Sequence, residues 1–397
     1  MIKSIHLKNF FSFKDQQIEF GSTNFLVGIN GAGKSNLIKA FRLLKATLTK
    51  GELEELVINK WGGFDAIHFK GCELAESSKC EITFEFDAKV LNEYGYAFSE
   101  DVYYNINIEK IASTQNFFLQ ENCFTVNGEK TNMIFTLASG NGLAKEGTGT
   151  EQEKMVKYVF DIESDSVLCQ LIDSNRYPQI YALRKAIADI AIYNYFNTTE
   201  NSPIRKPAAP TSATKLVADG SNLPQLLNWI NINHKKDYKA IKNSLNAINP
   251  NITDIDFHPL GTNVELLLEE EEFNSSVHVA HVSDGTLRYL CLMAIVHNPK
   301  RGRFICIDEP EVGLHPDMIC EFMEAMEEAS DTTQFLVSTH SELVLNQTTV
   351  DNVIVCEKDD KNATCIKTFR TEEYKEWAAD YSTGNLWRNG DLGGNRY

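Results

Sequence analysis

The sequence predicts an α/β fold built around a phosphate-binding loop, with an antiparallel β subdomain and a compact helical insertion. Three observations lead there. A short apolar run, Asn24 to Val27, meets the glycine-rich stretch Gly28-Ile29-Asn30-Gly31-Ala32-Gly33-Lys34-Ser35, after which Leu37, Ile38, Phe41 and Leu44 recur at helical spacing. Two further apolar runs, Phe304 to Ile307 and Phe335 to Val337, end in polar clusters, as buried parallel strands do when they carry ligand groups at their C-termini. Alternating runs at Ile82-Phe84-Phe86, Tyr104-Ile106-Ile108 and Phe117 to Val126 lie between the glycine-rich stretch and these later runs and read as antiparallel strands.

The glycine-rich stretch fits G-x-x-x-x-G-K-[ST], and its strand-loop-helix setting is the context that motif requires. Glycines let successive backbone N–H groups converge on phosphate oxygens. The helix that follows aims the positive end of its dipole at the same anion. Lys34 reaches the β- and γ-phosphates, and the Ser35 hydroxyl suits Mg²⁺. The candidate nucleotide contacts are therefore Asn30, Gly31, Ala32, Gly33, Lys34, Ser35 and Asn36.

In chain order, Ile5, Leu7 and Phe10 with Ile18 and Phe20 suggest a β-hairpin leading into the loop's strand. Asn127-Gly128, closing the third alternating run, is a hairpin-turn signal. Gly140 to Gly149 reads as a flexible loop, and from about Met155 to Phe196 the periodicity turns helical. Residues 201–219, with prolines at 203, 207 and 210, form an extended connector before helices at Leu223 to Ile230 and Tyr238 to Ala247. Val264 to Leu268 and Val277 to Val282 read as paired strands separated by the acidic run Glu269 to Glu272, a solvated turn rather than a metal site. The chain thus divides into a lobe over 1–150, a helical insertion over 151–255 and a second lobe over 256–397. Nothing sustains heptads, so a long coiled-coil arm is not expected.

Composition narrows the function. No run approaches the roughly 18 apolar residues of a membrane span, and Met1 to Phe10 alternates like a strand rather than a signal peptide. Nine cysteines are scattered without metal-ligand spacing, which reads as reduced thiols and a cytoplasmic location. With 38 basic and 55 acidic residues the net charge is −17, unlike that of a simple duplex-coating protein. His234-Lys235-Lys236 with Lys239 and Lys242, and Lys300-Arg301-Gly302-Arg303, are local basic groups, read first as solvated charge.

The second half of the site follows from the later strands. Phe304 to Ile307 delivers Asp308 and Glu309 at a strand end. Asp308 is the candidate metal ligand and Glu309 the general base that polarises the attacking water. His340, ending the next strand, is placed for a γ-phosphate. Ser283 and Asp284 read as an N-cap opening a helix through Leu287 and Leu290.

The order GINGAGKS, SDGTLR, ICIDEPEVGLHP, STHS resembles the ABC-type ATPases of the RecF/SMC branch, and more closely the stand-alone AAA_21-like ATPases, including those of bacterial anti-phage defence operons. The likeness extends to Asp219-Gly220-Ser221-Asn222-Leu223 and to a glycine-rich stretch from Gly384-Asn385-Leu386-Trp387 to Gly393-Gly394. It implies an ABC-type P-loop core, a mixed sheet with flanking helices. Ser283, Asp284 and Gly285 would open the signature motif, capping ATP held by the other protomer of a homodimer, or of a higher oligomer. Glu311 to Pro316 would be the D-loop and His340 the switch histidine. VSDGTLR in place of LSGGQ disfavours a transporter subunit. No TOPRIM-like carboxylate cluster follows the last strands, so an effector, a nuclease or toxin, would be separately encoded. The expectation is an ATP- and Mg²⁺-dependent dimerising switch in prokaryotic defence. A RecF-like clamp on duplex DNA is the alternative, and a scaffold binding ATP without turnover is a third.

Overall fold

The computed structural model describes residues 1–71, 78–112, 114–147, 153–371 and 382–394. Strand Thr23–Val27 is buried at every position inside a six-stranded sheet. Its spatial order is Ala191–Tyr193, Phe304–Asp308, Gln334–Ser338, Thr23–Val27, Val353–Lys358, Thr364–Thr368. The first five are parallel and the last is antiparallel to its neighbour. Continuous apolar runs suit strands covered on both faces. Alternate residues serve two different cores: Leu26, Cys306, Leu336 and Ile354 face one, while Phe25, Val27, Ile305, Ile307 and Val337 face the other.

The second sheet has eight antiparallel strands. The hairpin Ile2–Phe10 and Phe13–Glu19 forms one side, and Lys79–Phe86, Val102–Lys110, Phe117–Asn127 and Lys130–Ala138 continue it. The Asn127-Gly128 turn closes as expected, with Asn127 opposite Lys130 and Gly128 at φ 59°. The phosphate-loop helix, Lys34–Ala46, lies between the two sheets. Its Phe41 ring sits 4.8 Å from Phe304 of one and 5.7 Å from Phe84 of the other. Burying such a ring contributes about 1.5–3 kcal/mol, so the helix that presents Lys34 is held from both sides. Helices Leu223–Asn233, Lys235–Ile248, Asp284–Val296 and Pro316–Ser330 build the other core with the small sheet Ile252–Leu260, Asn263–Glu270, Val277–His278.

Two stretches depart from the sequence reading. The expected loop at Gly140 to Gly149 contains strand Asn141–Glu146, paired on both sides; residues 148 and 149 lie outside the described residues. A Cβ at Gly142 would stand 2.1 Å from the Thr136 carbonyl oxygen, so this glycine permits close strand approach rather than mobility. The helical reading from Met155 also gives way. Lys154–Val159 is the sheet's edge strand, and helix is confined to the short Val167–Gln170 and to Pro178–Asp189. Ala191–Tyr193 then joins the six-stranded sheet. Residues 151–255 thus supply a strand to each large sheet as well as helices, because ladder hydrogen bonds outweigh a weak local period. Eight cysteines among the described residues are free and six of them buried. Among the described residues no helix is long and apolar enough to cross a membrane.

Candidate nucleotide site

The phosphate loop is built by contacts that only glycine allows. Gly28 has φ 146°, and a Cβ there would stand 2.2 Å from the Cys356 carbonyl oxygen. At Gly33, φ 120°, a Cβ would meet Thr364 Oγ1 at 2.3 Å and Ser12 Oγ at 2.9 Å. Those two hydroxyls bracket the back of the loop. Thr364 Oγ1 donates to the Ala32 carbonyl at 2.7 Å, and Ser12 Oγ accepts from Asn36 Nδ2 at 2.9 Å. Lys34 is 6% exposed and donates to the carbonyls of Gly28 at 2.7 Å and Ile29 at 3.3 Å. Burial pulls its pKa down, and the nearby Glu309, Asp308 and Glu311 work against that shift.

The acids arrive on the neighbouring strands. Asp308 ends its strand opposite Ser338, whose hydroxyl donates to the Asp308 carboxylate. Glu309 has φ 49°, a left-handed conformation that costs a non-glycine residue about 1–3 kcal/mol. Its N–H donates to the Ser338 carbonyl at 3.0 Å and lies 3.2 Å from Ser338 Oγ, which holds the strained turn. His340 Nε2 is 3.5 Å from Glu309 Oε1. Burial, then the Lys34 charge, pulls the imidazole below its ordinary pKa, so it is neutral at pH 7. Glu311 Oε1 accepts from Thr339 Oγ1 at 2.7 Å and the His340 N–H at 2.8 Å, latching the turn that carries the histidine.

Asn30, Gly31, Gly33, Lys34, Ser35, Asn36, Asp308, Glu309 and His340 line one cavity of about 130 Å³. Ala32 does not line it; its side chain is buried and its carbonyl serves Thr364. A wider cleft of about 500 Å³ continues from Gly31 and Asn36 past Phe11, His68, Lys358 and Lys361. Ser35 and Asp308 offer hard oxygen donors to the same cavity, a set that fits Mg²⁺ with phosphate and water completing its shell. Among the described residues no group of three or more His, Cys, Asp or Glu side chains is arranged to hold a metal; such a shell requires none.

Ser283, Asp284 and Gly285 lie elsewhere, on an exposed helix start. Ser283 Oγ caps that helix by accepting the Thr286 N–H at 3.2 Å. Asp284 pairs with Arg205 at 2.6 Å, which holds its carboxyl below the usual range. Arg205, its side chain only 6% exposed, also donates to the carbonyls of Thr198, Val279, Ala280 and Val282. A Cβ at Gly285 would stand 2.9 Å from the Gly313 carbonyl oxygen, so the signature helix abuts the 311–316 loop. Arg288 spans that junction, donating to the Val312 carbonyl at 3.5 Å while its guanidinium lies 4.3 Å over the Tyr195 ring.

Sequence reasoning missed Arg205, the Ser12–Thr364 bracket, the latching role of Glu311, and Asn194. Asn194 follows strand Ala191–Tyr193, accepts from Arg42 and lines a small cleft with Asp308 and Glu309. A three-residue apolar run ending in an amide was its one local signal. Of the basic candidates, Arg301 and Arg303 bind residues 332 and 333, and Lys242 pairs with Asp254 at 2.7 Å.

Fold and site together define a class, the P-loop ATPases. Residues 1–345 match the AAA ATPase domain family (AAA_15), and the chain belongs to that family. It is 23% identical over 321 residues to an ATP/GTP phosphatase of Helicobacter pylori, covering 79% of this chain and 77% of that one. An uncharacterized protein of Methanocaldococcus jannaschii is 32% identical over 91 residues, 23% of each chain. The fold is that of Smc heads. A head bound to the C-terminal winged-helix domain of ScpA superposes with TM-score 0.59 at 14% identity, over 94% of this chain and 99% of that one. An Smc head with an extended coiled coil, bound to a ScpA domain derived from Pyrococcus furiosus, gives TM-score 0.53 at 13% identity, over 96% and 98%.

Proposed function

We propose that the chain is an ATP-driven dimerising switch, the ATPase component of a prokaryotic anti-phage defence system that controls a separately encoded effector. The observation that carries the dimer is the separation of two prepared surfaces. The cavity of Lys34, Glu309 and His340 is open, while Ser283 to Gly285 form a rigid, exposed helix start that lies off it. A helix N-terminus is suited to an anion, and a second copy turned head to tail supplies one to each cavity.

In this reading the loop N–H groups and Lys34 hold the β- and γ-phosphates, with the base in the cleft past Phe11. Ser35 and Asp308 would hold Mg²⁺, which neutralises phosphate charge when bound. Glu309 takes the proton of the attacking water. His340, neutral and 3.5 Å away, orients the γ-phosphate or the water. Return of the products to solution removes the contact that Ser283 makes, and the dimer reopens. The engagement of Arg301, Arg303 and Lys242 in intramolecular bonds favours this switch over a duplex clamp, which needs free cations.

Glu309→Gln tests the chemistry. It should bind ATP and accumulate as dimer in light scattering, with hydrolysis reduced about 10²–10⁴-fold; hydrolysis at the wild-type rate would remove Glu309 as the base. The same variant, tagged and recovered from its host with ATP, should bring down a protein encoded beside it in stoichiometric amount. Recovery of nucleic acid alone would favour the clamp instead.

A further inference from the structure

Residues 382–394 lie beyond the matched family span, and the proposed chemistry does not use them. They touch two parts of the site's scaffolding. Helix Thr383–Asn389 packs on helix Glu342–Asn346, which begins two residues after His340. Gly384 makes that packing possible: a Cβ there would stand 2.3 Å from Asn346 Oδ1 and 2.4 Å from the Glu342 carbonyl oxygen. The Gly384 N–H donates to Asn346 Oδ1 at 3.1 Å, and Thr383 Oγ1 donates to the Thr348 carbonyl at 2.7 Å. At the other end, the Gly394 N–H donates to Glu357 Oε1 at 2.6 Å. A Cβ on Gly394 would stand 2.6 Å from Val355 Cγ1 and 3.4 Å from Gly28 Cα. Gly28 is the residue whose carbonyl holds Lys34. Leu386 and Leu392, both buried, fasten the segment between these two contacts.

We propose that residues 382–394 form a positioning strap, which sets the turn bearing His340 through Gly384 and the entry to the phosphate loop through Gly394. The two ends act on different steps. The loop end governs how well the phosphates are held, because a shift of Gly28 moves the carbonyl that orients Lys34. The helix end governs turnover, because His340 lies on the turn that this helix anchors and that Glu311 latches from the facing loop. A displacement of about 1 Å at a reacting group costs about a hundredfold in rate. The proposal rests on the assignment of Lys34 to phosphate binding and His340 to turnover.

The test is a pair of variants with a split readout. Gly394→Ala should raise the Kd and KM for ATP about tenfold with kcat retained, the signature of lost uniform binding. Gly384→Ala should lower kcat about tenfold or more with ATP affinity retained. Asn389→Ala, on the exposed side of the same helix, should change neither. Unchanged constants in both glycine variants, or losses that merely track the fraction folded, would overturn the strap. If either alanine variant fails to fold, Glu357→Ala and Asn346→Ala remove the acceptor of one anchoring bond each without adding atoms, and should move the same constants in the same directions. Hydrogen exchange reads the strap without catalysis: amides of 28–34 should exchange faster in Gly394→Ala, and those of 340–346 in Gly384→Ala. Should wild-type protein neither bind nor hydrolyse ATP, the underlying assignment fails, while the exchange pattern still decides the strap.

Discussion

Glu121 offers a prediction whose size follows from its surroundings. It lies mid-strand in the antiparallel sheet and is fully buried. The Tyr104 hydroxyl donates to it, Ser166 Oγ donates at 2.6 Å, and the Val167 N–H donates to its second oxygen at 2.8 Å. Those donors lower its pKa, but burial outweighs them and lifts the carboxyl from 4.5 to about 7. The folded state therefore keeps the proton to about pH 7, whereas the unfolded chain releases it near pH 4.5. The resulting stabilisation is full below pH 4.5 and is lost as pH rises through 7. At roughly 1.4 kcal/mol per pH unit, the interval from 4.5 to about 7 amounts to about 3 kcal/mol. Glu121→Gln removes the titration and keeps the shape, since the Tyr104 and Ser166 hydroxyls can rotate to meet an amide. Urea unfolding at pH 5 and pH 8 would measure it. Wild-type stability should fall more steeply with pH than that of the variant, by about 3 kcal/mol, and the variant should be the more stable at pH 8. Parallel pH profiles for the two proteins would refute a buried, proton-retaining Glu121. The effect reaches the site's support, because the next turn holds Asp165, which accepts the Gly51 N–H at 2.9 Å just past the phosphate-loop helix.

Two further outcomes follow from the site. Arg205→Ala leaves the buried carbonyls of Val279 and Val282 without their donor, so unfolding free energy should drop by about 3 kcal/mol, and ATP-dependent dimerisation should weaken with it; an unchanged denaturation midpoint would show that Arg205 does not organise the signature helix. Burial, then the Lys34 charge, holds the His340 imidazole below its ordinary pKa, so any loss of wild-type kcat on acidification that is due to this residue should be centred below the pH at which a free imidazole titrates, and His340→Gln should reduce kcat about 10²-fold at pH 7.5 and remove that limb; a His340-dependent decline centred above the free-imidazole pH would refute the depressed imidazole.

The local half of the site was readable because its physics is local. A phosphate loop needs eight consecutive residues, Gly28 to Ser35, in one backbone path, and a buried strand ending in Asp308 and Glu309 is visible as an apolar run meeting two carboxylates. The α/β class followed from the same runs, and the Smc-head likeness agrees with the ABC-type core that the family resemblance implied. Two strands were misread for a common reason. Asn141–Glu146 and Lys154–Val159 carry little alternation of their own and owe their conformation to pairing partners.

What the sequence determined by itself was the set of candidate groups that the structure brings to one cavity and the order of elements that bear them, since spacing along the chain encodes both. Tertiary structure alone decided how those groups are held. Thr364 reaches Ser12 across 352 positions to close the back of the loop, Arg205 fixes a helix start 79 positions away, and Glu311 latches the histidine turn across 29. Such contacts leave no mark on local pattern, because a hydroxyl or guanidinium finds its partner only when separate strands and helices have packed. Chemistry is written in short segments, and its alignment is set by the packing of two cores against one helix.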